Sequence, residues 1–81
     1  MEKYEVFHLA RPDDMHPLRV SIDAASPLDA ARRVAASKGL QSGRINVRSE
    51  VLDRMFPFII VDAVVTTVAK ARRMEREAAG G

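Results

Sequence analysis

One helix in this chain is written with both of its ends. Ser26 is a good N-cap, because its hydroxyl can accept from an otherwise unpaired backbone N–H. Pro27 suits the first helical position, where no N–H is needed. Asp29 falls at the third helical position, near the end of the helix that favours negative charge. The spacing predicts a helix running to Lys38. Gly39 then supplies a left-handed residue just past the end, and Leu40 can fold back on the last turn. Ala30, Ala31, Val34 and Ala35 share one side and are small enough to let the helix lie close to a sheet. Arg32, Arg33 and Ala36 point away from it.

The flanking residues supply that sheet. Leu18 to Ala24 alternates, with Leu18, Val20, Ile22 and Ala24 inward and Arg19, Ser21 and Asp23 outward, as in a half-buried strand. Arg44 to Val51 alternates in the same way, with Ile45 and Val47 inward. Residues 3–10 read as a strand antiparallel to the one at 18–24. Tyr4, Val6 and His8 lie on one side of it, Phe7 and Leu9 on the other, so both faces are expected to be partly covered. Arg11 to Pro17 forms the turn between them. Residues 57–78 fit two patterns. Ile60, Val64, Val68, Ala71, Met74 and Ala78 recur at helical steps, whereas Phe58 to Val65 is dense in β-branched residues and could be a strand. The helical reading is preferred for the whole stretch. The expected fold class is α+β, a small antiparallel sheet of three strands (four if Phe58 to Val65 is extended) with two helices on one face, in the order β-β-α-β-α.

With 81 residues the chain is read as a single domain over 1–81. At that size a fold buries only about 60–65% of its unfolded surface, which leaves little core to give up to a deep catalytic cleft. Cysteine is absent, which excludes thiol chemistry and thiolate zinc sites and points to a reducing compartment. Glycine occurs only at 39, 43, 80 and 81, so there is no glycine-rich phosphate loop. Residues 1–5 lack a signal-peptide layout, and the apolar run from Pro57 to Ala69 is shorter than a membrane span and contains Asp62. The expectation is a cytoplasmic, non-enzymatic, monomeric protein without membrane contact, cofactor or bound metal. Asp13, Asp14 and His16 are the one tight polar cluster, and no further ligand is spaced to complete a metal shell; a solvated turn is the simpler reading. His8 reads as a partly buried or edge histidine.

The candidate contact residues are basic. Residues 1–30 hold three basic and six acidic side chains, residues 31–81 ten basic and five acidic, so the second half should carry a positive surface. Arg32, Arg33, Arg72, Arg73 and Arg76 are the expected partner-binding residues, with Lys70 beside them. They could meet an acidic protein face or backbone phosphates. Glu75 and Glu77 dilute the last cluster, and one Tyr, three Phe and no Trp leave little for base stacking. A protein or ribonucleoprotein partner therefore comes first, and a small basic DNA- or RNA-binding module is the alternative. The exposed sheet face around Arg19, Asp23 and Arg48 is the second candidate surface.

The run from Val20 to Gly39, with Ile22-Asp23-Ala24-Ala25-Ser26, the Ala-rich helix and the strand at Ile45-Asn46-Val47 after it, resembles the strand–capped helix–strand core of a type I-F anti-CRISPR protein. Small phage-encoded type I anti-CRISPR proteins look like the nearest functional class. The resemblance implies a CRISPR–Cas inhibitor that evades host defence in the bacterial cytoplasm. Such an inhibitor binds Cas subunits of the surveillance complex, Cascade, and sterically blocks recognition of target DNA. It assigns no role to any individual residue.

Overall fold

The computed structural model describes residues 1–11, 13 and 15–73. The elements follow in the order β1 (Glu2–Leu9), β2 (Leu18–Ala24), α1 (Pro27–Lys38), β3 (Gly43–Ser49), β4 (Arg54–Val61) and β5 (Val64–Thr67). Residues 68–73 are helical. The strands form one antiparallel sheet in the order β2-β1-β3-β4-β5. β2 and β3 thus both flank β1 and run parallel to each other, and α1 carries the chain from one to the other across a single face.

The helix forms as its ends dictate. Asp29 N donates to Ser26 Oγ at 3.1 Å. Gly39 has φ 63° and ψ 35°, and Leu40 N reaches back to Ala35 O at 2.9 Å. A left-handed residue with such a backward bond closes the last turn as a Schellman motif. Ala30, Ala31, Val34 and Ala35 are buried against the sheet, while Arg32, Arg33 and Ala36 are exposed.

The registers place Tyr4 and Val6 of β1, Ile45, Val47 and Ser49 of β3, and Phe58 and Ile60 of β4 on the face beneath α1. Val20, Ile22 and Phe56 pack at its margin, and Val65 extends it onto β5. Ser49 is the buried polar residue there, and its hydroxyl accepts from Leu52 N at 3.1 Å. That bond ends β3 two residues before the expected Val51. The opposite face carries Phe7, Leu9, Arg44, Asn46, Arg48 and Ile59, and no described helix covers it.

Gly43 begins β3 with φ 103°. A Cβ there would lie 2.6 Å from Leu9 O and 2.9 Å from His8 Nε2. His8 fills the space so left and bonds to Ser42 O at 3.0 Å, which places it at a strand end in a structural contact.

The expected strand count and order are corrected. Among the described residues there are five strands, ordered β-β-α-β-β-β before the helical residues 68–73. The preferred helix from 57 is two strands as far as Thr67. β4 does alternate, with Phe56, Phe58 and Ile60 toward the core. Its other face carries Pro57, Ile59 and Val61, also apolar, which hides the period of two. The strands turn at Asp62-Ala63, with φ 50° and 65°. Two successive positive-φ residues are the tight hairpin turn that suits strand twist, usually marked by glycine. Here Ala63 holds it without glycine, and Ala63 N donates to Gln41 O at 2.9 Å. Pro57 sits one residue beyond the last β4–β5 pair, where no described strand neighbours β4 on that side and a proline is tolerated. The expected continuation of the last helix over Met74 and Ala78 lies outside the described residues.

A basic groove as candidate functional site

β5 passes directly into the last helical segment. Thr67 caps it, with Lys70 N donating to Thr67 Oγ1 at 3.1 Å. The segment buries Ala71 and exposes Lys70, Arg72 and Arg73. Between this segment and α1 lies an open groove of about 400 Å³. Leu28 and Arg32 line it from α1, Val64 and Val65 from β5, and Lys70 and Ala71 from the segment. Asp62 of the β4–β5 turn also borders it.

The groove has an apolar floor of Leu28, Val65 and Ala71, with two cations, Arg32 and Lys70, and one carboxylate, Asp62, at its border. Val61 and Val64 pair with each other on the face of the sheet away from α1, 43% and 62% exposed, and border the groove only where the β4–β5 turn closes it. Neither Arg32 nor Lys70 makes a side-chain ion pair or hydrogen bond within the described residues. A long basic side chain beside apolar surface can cover it with its stem and offer its charged head to an incoming anion.

The expected contact residues divide here. Arg32 lines the groove, and Arg72 and Arg73 follow Lys70 on the helical segment that forms one wall. Arg33 lies on α1 but its Nε donates to Asp29 Oδ2 at 2.9 Å, so its charge is partly answered within the helix. Arg76 lies outside the described residues. Sequence reasoning missed the apolar part of the groove, because residues 57–78 read there as one helix, with Val64 among the residues recurring at helical steps. The usable signal was the clustering of β-branched residues immediately before a run of cations.

The second candidate surface is more self-contained. Arg19 Nη2 donates to Glu5 Oε1 at 2.9 Å, and its guanidinium lies 5.7 Å from the Phe7 ring centroid. Arg48 is 2.7 Å from Asp53, whose carboxylate holds the guanidinium still more firmly protonated. These cations already have anionic neighbours, and Phe7 is already stacked.

Among the described residues, no three His, Cys, Asp or Glu side chains come together as a metal site, and no helix is long and apolar enough to cross a membrane. Compared with protein-family models, with curated proteins and with solved structures, the chain matches none.

Proposed function

We propose that the protein is a non-enzymatic inhibitor or adaptor that binds a protein or ribonucleoprotein complex and acts by occupying its surface. The observation that carries this reading is the pair Arg32 and Lys70, unpaired among the described residues and set beside an apolar floor. Apolar anchors with charges at the rim are how protein interfaces are built. A phosphate backbone would be met by cations alone and would not use an apolar floor. The partner class follows from the resemblance over residues 20–47: a type I CRISPR surveillance complex, whose access to target DNA the bound protein would block. Arg32, Arg72, Arg73 and Arg76 are the proposed contacts, with Arg33 at their edge.

The test uses purified type I surveillance complex with its guide RNA and a labelled target duplex. Wild-type protein is expected to abolish the target-DNA shift. Reversal of Arg72, Arg73 and Arg76 to Glu should restore that shift while leaving the melting curve nearly unchanged. Full inhibition by the folded triple variant would place the interface elsewhere. No effect of the wild-type protein would remove this partner class. Affinity should fall only shallowly between about 50 and 200 mM salt; a loss of 10³-fold or more would identify a phosphate-binding module instead.

A further inference from the structure

We infer that β2 is a self-pairing edge and that two copies of this chain join through it into one continuous ten-stranded sheet. β2 ends the sheet, and among the described residues nothing pairs with its outer side. Exposed edges normally carry a bulge, a proline or an inward charge that blocks a second strand. β2 has none of these. It runs seven residues without Pro or Gly, and its register against β1 is unbroken from Glu2↔Ala24 to His8↔Leu18. β5, the other edge, has only four residues.

Geometry then fixes the register. In an antiparallel ladder the N–H and C=O of one residue point to the same side, and those of the next residue to the other. A strand that pairs with its own copy about a two-fold axis must therefore place that axis through a residue. Pairing all of Leu18–Ala24 puts the axis at Ser21. Arg19 then lies opposite Asp23 of the second copy, and Asp23 opposite its Arg19. Opposed side chains of this kind are within about 5 Å at Cβ and interact directly. The two charged residues of the strand are of opposite sign and sit symmetrically about Ser21, so the edge is complementary to itself. Arg19 uses Nη2 for Glu5 and retains donors for a second carboxylate. Asp23 is exposed and has no ion pair among the described residues. On the other face Val20 would meet Ile22, and Leu18, 39% exposed in the single chain, would meet Ala24. The basic groove lies at the β5 end, so the dimer would carry a groove at each far end of the sheet.

Sedimentation equilibrium between about 10 µM and about 1 mM tests this over the range expected of a small interface. The wild-type mass should rise from 9.0 kDa toward twice that value. Asp23→Arg sets two arginines opposite each other twice over, and Ser21→Lys makes the residue on the axis meet its own charge. Each should weaken self-association by roughly tenfold or more. Asp23→Arg mixed with Arg19→Asp should dimerise again, because every opposed pair is then of unlike charge. A wild-type mass that stays at 9.0 kDa across the range overturns the inference. So does undiminished association of Asp23→Arg and Ser21→Lys, or failure of the mixture when Arg19→Asp is folded by circular dichroism. If Arg19→Asp does not fold, having lost its Glu5 and Phe7 contacts, the two variants at exposed positions decide alone. The measurement needs no binding partner, so its outcome is independent of the proposed function.

Discussion

The two faces of the sheet use the same strands and differ in what covers them. Beneath α1, Val6, Ile45 and Val47 are fully buried, and the helix that covers them presents little but alanine and valine. On the other face Phe7, Leu9 and Ile59 keep part of their surface in water, and the charged residues among them meet in pairs such as Arg19–Glu5. Each strand thus contributes to a dry layer and a wet one within consecutive residues. Stability should follow the first, while the second is left to charge and to contacts with other molecules.

The largest expected effect separates neighbouring strands. Ile45→Ala should cost about 3 kcal/mol, since a buried isoleucine loses both its transfer energy and the space it filled. Ile59→Ala on the open face should cost about 1 kcal/mol or less by area. Urea midpoints of the two variants measure the contrast, and equal losses would mean that the open face is covered in solution.

Removing the lid should be felt on one face only. Gly39→Val forces a branched residue into a left-handed conformation at about 1–2 kcal/mol. Ser26→Ala gives up the cap at about 1 kcal/mol. Both should speed hydrogen exchange at Val6 and Val47. Unchanged denaturant midpoints in both would show that the caps do not hold this helix.

On the open face Glu5→Gln should shift stability by about 0.5 kcal/mol or less, because Arg19 is well exposed and such pairs are worth little. A loss well above that would make the pair a structural element. The smallest effect is optical. Burial first, and then the hydrogen bond and charge of Glu2, push the Tyr4 phenol above its ordinary value of 10.0. Folding therefore holds the proton on, and the stability it adds is present below that value and declines as pH rises through it. Tyr4 is the only tyrosine and there is no tryptophan, so absorbance near 295 nm reports it alone. A midpoint no higher in the native chain than in urea would contradict its place beneath α1.

The sequence by itself determined the half of the protein in which local chemistry and burial agree. Ser26, Pro27, Asp29 and Gly39 set both ends of α1, and strict alternation set β2 and β3, because one side of each element meets core and the other meets water. The outward placement of Arg32 and Arg33 followed from the same period. Only the tertiary structure decided the fate of residues 54–67. With apolar side chains on both faces of β4, helix and strand bury similar surface, and Asp62-Ala63 lacks the glycine that marks a tight hairpin. What selects the strands is the free edge of β3, which supplies a ladder of backbone partners that no local pattern records. The groove depends on the same choice: Arg32 and Lys70, far apart in the chain, come to one place because β5 returns the backbone beside α1, a non-local fact that no window of sequence contains.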